Sequence, residues 1–392
     1  MKDMKKRKIK KIGIDIRCLI EGNKTGVEEY TINILTNLFE IDSRNKYILF
    51  LNSFRSPKIN LDFISKYKNV SVKKFGFPNK ILNLLFWYFG WPNVDKMLGG
   101  IDIFFMPNIS FVGISKKSKL VLTMHDLSFE HMPEMFSLKR RLWHTFINPR
   151  RLCKRADAII AVSESTKNDI VSVYNIAPEK VKMIHSGVSD NFMILDRNDQ
   201  KLVEIKNKYK LPFKFIFFLG TIEPRKNIIS LVRAFDKLKD LNLSGLEKMK
   251  LVIAGRRGWK FEKTITAMKN SKYTDDIIFI NGLPDADKNY VYNLASVFVY
   301  PSFLEGFGFP VLEAMKSGVP VISSNTSSIP EVVGSEGILI DPGKPDEIFL
   351  ALKNILTDRN LGEYFKERAW RRTFRFNWKN TAKEFLSHIE EL

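Results

Sequence analysis

Two cysteines, Cys18 and Cys153, are all that a chain of 392 residues carries. That scarcity excludes a disulfide framework and suits a reducing cytoplasm. Histidine is sparse too, with five scattered copies, and neither cysteine has a partner at metal-ligand spacing, so no metal site is expected. No uninterrupted apolar run reaches the roughly 18 residues a membrane span needs. The opening MKDMKKRKIKK is basic like a signal-peptide n-region. However, Asp15 and Arg17 interrupt the IGIDIRCLI that follows, and no small-residue cleavage site comes after it. This stretch reads as a first buried strand, and a cytoplasmic location is expected. Acids are also short. Lys and Arg total 63 against 43 Asp and Glu, and the first 196 residues hold 32 against 19. Such a balance either favours anionic partners (nucleic acid, acidic lipid, phosphorylated substrates) or reflects free use of lysine.

Short apolar runs alternate with amphipathic stretches along most of the chain. KIGIDIR, KYILFL, NVSVKKF, DIFFMP, KLVLTMHD, AIIAVS and VKMIHSGV form one series of strand-like runs. FIFFLG, KLVIAG, DIIFIN, VFVYPS, VPVISS and EGILIDP form a second. Helical patterns fill intervals such as 27–40, 164–174, 226–240 and 287–295. This alternation predicts an α/β fold of parallel sheets with helices on both faces. The polar SDNFMILDRNDQK, near residues 190–210, separates the series and predicts two doubly wound, Rossmann-like domains. Their expected limits are 1–196 and 197–370, with a closing amphipathic helix in 371–392 crossing back to the first. Ligands in such sheets bind beyond the carboxyl ends of strands, at the switch point, which predicts an active site in the cleft between the domains.

Four stretches carry chemistry. In FLEGFGFPVLEA, residues 303–314, Glu305 and Glu313 flank a glycine-rich turn that enters a helix. Pro310 suits the first helical position and Gly318 the residue past the end. Glycines let backbone approach a ligand closely, and a helix N-terminus binds phosphate. In FFLGTIEPRKN, residues 217–227, adjacent Arg225 and Lys226 combine a planar fork with a point charge, which suits a diphosphate. In TGVEEYTINIL, Gly26 sits where the chain enters a helix. In LVLTMHDLSF, His125 and Asp126 stand just past a strand. Each alone also fits a plain structural turn; two anion-ready turns in one half of the chain are harder to explain that way.

Together these residues resemble the retaining glycosyltransferases of family 4, which have the GT-B fold. The resemblance runs through GIDIR, TGVEEY, TMHDLSFEHMPEMFS, AVSESTKNDI, MIHSGVS, FLGTIEPRKN, LVIAGRRGW, the long stretch from NGLPDADKNYVYNL to SSIPEVVG, and FNWKNTAKEFL. It is closest to bacterial members that act on surface-polysaccharide precursors, many of them mannosyltransferases. The resemblance implies that Glu305 and Glu313 are the acids of the family's E-x7-E motif, the first on donor-sugar hydroxyls and the second on the ribose. Backbone amides of the Gly306–Phe307–Gly308–Phe309 turn, with Arg225 and Lys226, would hold the diphosphate. Gly26 would close on the phosphates, His125 would touch the sugar near the reacting carbon, and the loops at Gly255 and Leu283–Pro284 would frame the base. Asp126 or Glu28 would orient the acceptor. The substrate implied is a nucleotide sugar, GDP-mannose first and UDP-hexoses next, with no cofactor and no metal. Retention by front-face attack would leave no glutamate as covalent nucleophile, unlike in retaining glycosidases. The acceptor implied is a saccharide or an undecaprenyl-diphosphate-linked saccharide.

Two further stretches need separate readings. Asp285-Ala286-Asp287 matches the metal signature of a different transferase fold, but acids before a helix commonly cap it. The aromatic NKILNLLFWYFGWPNV, residues 79–94, with Lys73, Lys74, Lys80 and the basic arm at 2–11, reads either as a contact with an anionic membrane surface or as a buried helix. Nucleotide-sugar 2-epimerases share the two-domain fold but lack the EGFGFPVLEAMKSG pattern. The basic charge is spread rather than striped and no nucleic-acid module is present, so no nucleic-acid partner is expected.

Overall fold

The computed structural model describes residues 8–20, 25–54, 59 and 61–392. Residues 2–7 of the basic arm lie outside them. All thirteen apolar runs form strands, and every pairing is parallel. The first sheet contains β1 (Lys11–Asp15), β2 (Lys46–Asn52), β3 (Val70–Phe75), β4 (Ile103–Met106), β5 (Lys119–Met124), β6 (Ala158–Ala161) and β7 (Val181–Met183), in the order β3-β2-β1-β4-β5-β6-β7. The second contains β8 (Phe215–Leu219), β9 (Lys250–Ala254), β10 (Ile277–Ile280), β11 (Val297–Tyr300), β12 (Val321–Ser324) and β13 (Ile338–Ile340), in the order β10-β9-β8-β11-β12-β13. Each order reverses once, between β1 and β4 and between β8 and β11, as in a doubly wound sheet. Central strands such as β8, FIFFL, are buried at every residue. Helices cover both faces of a parallel sheet, so its inner strands read as continuous apolar runs rather than alternating ones.

The helices that matter here are α1 (Gly26–Ile41), α2 (Asn79–Phe89), α3 (Leu138–Ile147), α4 (Glu164–Tyr174), α5 (Ile228–Asp240), α6 (Asp285–Leu294), α7 (Phe309–Lys316) and α8 (Trp378–Glu390). Two starts differ from the sequence expectation. The helix expected from residue 226 begins at Ile228. Pro224–Lys226 form a 3-10 turn, and Asn227 at φ 54° breaks the helical path. This break frees Arg225 and Lys226 from the helix surface. The helix expected from 287 begins at Asp285, directly after Pro284.

The chain divides into two compact units. One comprises the chain up to Leu127 with Lys139–Gly187 and Trp378–Leu392; the other comprises Ser128–Leu138 and Val188–Asn377. Helix α8 belongs to the first. Its buried Trp378, Ala382, Phe385 and Ile389 follow helical spacing, and the Phe385 ring packs 4.4 Å from Phe105 at the end of β4.

Candidate active site

In the second unit the switch point lies between β8 and β11, whose following loops are tied together. Phe303 N–H donates to Arg225 O at 2.8 Å, and Arg225 Nη1 donates to Leu304 O at 2.8 Å. These ties bring charged side chains into one buried cluster. Lys226 Nζ donates to Glu305 Oε1 at 2.5 Å and to the Tyr300 hydroxyl at 2.6 Å. Arg225 Nη1 lies 3.2 Å from Glu305 Oε2, and its Nε lies 2.5 Å from Glu223 Oε1. Ser302 Oγ also donates to Glu305 Oε1, at 2.5 Å. Glu223, Lys226 and Glu305 are all buried. Burial alone would raise the Glu305 carboxyl, but Arg225 and Lys226 outweigh it and hold it at about 2. Burial, with Arg225 beside it, pulls Lys226 down against the attraction of Glu305. Two cations and two anions thus balance in one largely buried cluster.

The turn after Glu305 leads into α7. Gly308 sits at φ 102°, and a Cβ there would meet Ile329 Cδ1 at 2.6 Å, so only glycine fits. Pro310 occupies the first turn, and Gly318 at φ 71° follows the last residues of the helix. Gly308 is the N-cap of α7, Phe309 is its first residue and Phe307 precedes them, so the turn leads directly into the helix N-terminus. Glu313, one turn in, is 2% exposed, and its Oε2 accepts from the Tyr292 hydroxyl of α6 at 2.9 Å. Here burial wins and raises the carboxyl. The opposing cation, Lys288, is already paired with Asp285 at 2.8 Å. Gly255, past β9, lies against the backbone past β8; a Cβ on it would fall 1.8 Å from Gly220 O. Leu283 and Pro284 lead into α6, where Asp285 and Asp287 bind protein groups: Asp287 accepts from Lys208 Nζ and Tyr209 Oη at 2.6 and 2.5 Å. Among the described residues no group of three His, Cys, Asp or Glu is disposed to hold a metal ion.

In the first unit His125 follows β5, near the switch between β1 and β4. Its Nε2–H donates to Pro107 O at 2.8 Å, and its ring meets Tyr30 edge-on at 4.9 Å. Part of its surface stays exposed, but the imidazole is enclosed enough that burial lowers its pKa and keeps it neutral. Gly26 is the first residue of α1, after the N-cap Thr25. Glu28 is buried and completes a capping box, its Oε2 accepting from Thr25 N–H at 2.8 Å. Asp126 follows His125 and is half-buried.

Family models match almost end to end. Residues 26–192 fit the model of Glycosyltransferase Family 4, and residues 199–372 fit that of Glycosyl transferases group 1. The O-antigen chain mannosyltransferase B of Escherichia coli is 30% identical over 270 residues, 69% of each chain. The chain belongs to the family 4 glycosyltransferases. The serotype-specific mannosyltransferase WbdA of Escherichia coli is 33% identical over 267 residues; that match covers 67% of this chain and only 32% of WbdA. Sucrose-phosphate synthase from Thermosynechococcus elongatus superposes with a TM-score of 0.75 at 16% identity, over 97% of this chain and 98% of that one. This likeness identifies the GT-B fold.

The transferase gathers Arg225, Lys226 and Glu305 into direct contact and sets Glu313 one helical turn beyond. Sequence reasoning missed four partners: Glu223, Tyr300, Ser302 and Tyr292. Tyr300 and Ser302 stand in VFVYPS, which reads as a buried strand and its end, and Glu223 stands beside the conspicuous Arg-Lys pair. A cavity of about 680 Å³ borders the same β8 loop, lined by Pro224, Asn227, Arg233, Lys260, Lys263 and Phe303 among others. It includes neither Arg225, Lys226, Glu305 nor Glu313.

Proposed function

We propose that this glycosyltransferase is a retaining, metal-independent hexosyltransferase. In this reading it moves mannose from GDP-mannose to a saccharide or undecaprenyl-diphosphate-linked saccharide at the cytoplasmic face of the membrane, in cell-surface polysaccharide biosynthesis. The observation that carries the proposal is the buried cluster of Arg225, Lys226 and Glu305 at the carboxyl ends of β8 and β11. The O-antigen mannosyltransferases among its relatives support the choice of sugar and pathway class.

The leaving group is a nucleoside diphosphate, so negative charge grows on its oxygens as the glycosidic bond breaks. Arg225 and Lys226 are donors placed for that charge, and the amides at the start of α7 add to them. In the ligand-free protein Glu305 neutralises both cations; with the diphosphate in place, its carboxylate would accept hydroxyl hydrogens of the sugar. Glu313 would accept from the ribose. His125, held neutral, would lie on the sugar side, and Gly26, Gly255 and Leu283–Pro284 would shape the nucleotide's surroundings.

Nucleoside diphosphate release from a panel of nucleotide sugars, with and without lipid-linked acceptor, tests this reading. Acceptor-dependent GDP release from GDP-mannose is expected. UDP release from a UDP-hexose instead would reassign the donor, and no release from any donor would contradict the function.

A further inference from the structure

Helix α2 is apolar on nearly every side, yet only Leu82 and Phe86 are buried. A helix that is hydrophobic all round normally lies inside a protein or a membrane. On its outer side Ile81, Leu84 and Tyr88 follow helical spacing and are exposed, Tyr88 at 71%. Phe89, the last residue of the helix, and Trp91 beyond it extend this surface. Helix α3 continues it. Trp87 of α2 meets Phe146 of α3 edge to face, with ring centroids 5.4 Å apart, and Leu142 and Trp143 are exposed beside Phe146. Single exposed apolar residues need no explanation, but a contiguous patch of this extent does.

The two segments that form the patch carry charge of one sign. Residues 70–94 and 138–155 together contain ten Lys and Arg and no Asp or Glu. Lys80, Lys139, Arg141, Arg150 and Arg151 are exposed. A groove of about 210 Å³ opens along α2, and its lining is wholly apolar, including Phe77, Ile81, Leu85, Trp91 and Met97. Its lining offers water no hydrogen-bonding partner and suits a hydrocarbon group. Protein interfaces are depleted in lysine, whereas interfacial helices combine Lys and Arg on one face with Trp, Phe and Leu on the other.

We propose that α2 and α3 form one docking face that lies on an anionic lipid bilayer. Leu84, Tyr88, Leu142 and Phe146 enter the acyl boundary, the basic residues meet lipid phosphates, and the groove along α2 takes the end of a lipid chain. No helix among the described residues is long and apolar enough to cross a membrane, so the contact is one of lying on the surface. The role of this face, delivery of the enzyme to its acceptor, rests on the lipid-linked acceptor proposed above; its physics does not.

The test is co-sedimentation of the full chain with vesicles of phosphatidylethanolamine and phosphatidylglycerol, against vesicles of phosphatidylcholine alone. Binding to the anionic vesicles alone, falling with salt, is expected. Replacing Lys139 and Arg141 together by Gln lowers partitioning by about fivefold per charge, about 25-fold for the pair. In the Leu84→Ser, Tyr88→Ser variant, lipids brominated in their acyl chains no longer quench the fluorescence they quench in the wild type. No binding to anionic vesicles, or equal binding by the wild type and both variants, overturns the proposal. A lipid-free dimer that Leu84→Ser, Tyr88→Ser dissolves assigns the face to a second copy and overturns it too. Transfer to lipid-linked acceptor in detergent separates the two readings. Transfer without vesicle binding removes the docking face and leaves the function standing. Vesicle binding without transfer to any acceptor removes the function and leaves the docking face.

Discussion

Glu305 and Glu313 stand eight positions apart, both buried, and the protein shifts their carboxyls in opposite directions. Glu305 receives a guanidinium, an ammonium and a hydroxyl, and its carboxyl is driven down to about 2. Glu313 receives one phenol, while the nearest cation is spent on Asp285, and burial drives its carboxyl up. The difference comes from what the neighbouring elements bring. The β8 loop carries two cations to Glu305, and α6 presents a tyrosine to Glu313. A permanent anion between cations suits a group that must stay ionised beside a leaving phosphate. A carboxyl whose pKa is raised by burial suits a group whose acceptor strength depends on what binds.

The comparison breaks most visibly at Lys226. Lys226→Ala leaves Glu305 and Glu223 to share Arg225 in a buried site, and losing one member of a buried pair costs about 3–5 kcal/mol. Thermal unfolding should show that loss, and the Lys226→Met, Glu305→Gln double variant should recover most of it. A loss within about 0.5 kcal/mol, as at an ordinary surface position, would mean that the cluster is not the closed pair described here. Glu313→Ala should fold and weaken GDP binding by about 1.5–3 kcal/mol, read by calorimetric titration. Tyr292→Phe removes the hydrogen bond that opposes the rise of Glu313, so it should raise that carboxyl further and cost about 1 kcal/mol in unfolding experiments.

The two acids should also answer to pH in opposite ways. The pKa of Glu305 is depressed on folding, so its contribution to stability is complete above the ordinary carboxyl value of 4.5 and is lost as pH falls towards about 2. The pKa of Glu313 is raised, so the protein favours its protonated form, and its ionisation weakens the fold as pH rises through the raised value. GDP affinity should climb over that same range, as the carboxylate becomes available to ribose hydroxyls. Glu313→Gln should flatten the climb; an unchanged slope would remove Glu313 from the nucleotide site.

Much of this architecture was legible in the residues. Thirteen apolar runs became thirteen parallel strands because inner strands covered on both faces leave a continuous pattern that turns interrupt. Helix α4 fell on the expected residues 164–174, and the tail formed a helix whose apolar stripe packs on the first unit. Arg225, Lys226 and Glu305 were visible as an anion-ready set, but their mutual pairing was not. Nothing in TIEPRKN distinguishes a buried Glu223 from a solvated one, and only the break at Asn227 lifts Lys226 out of its helix. The excursion of Ser128–Leu138 into the second unit leaves no mark in composition. Helix α3 buries only Ile147, and Leu138, Leu142, Trp143 and Phe146 are exposed, so its apolar residues do not mark a core face.

The most direct test of the division between the two acids is a titration of GDP into Glu305→Ala and Glu313→Ala, alongside their transfer rates with GDP-mannose and acceptor. The account predicts that Glu305→Ala binds GDP at least as tightly as the wild type, since it releases Arg225 and Lys226 for the diphosphate, yet loses most of its transfer. It predicts that Glu313→Ala binds GDP more weakly. Weaker GDP binding by Glu305→Ala together with unchanged binding by Glu313→Ala would contradict it.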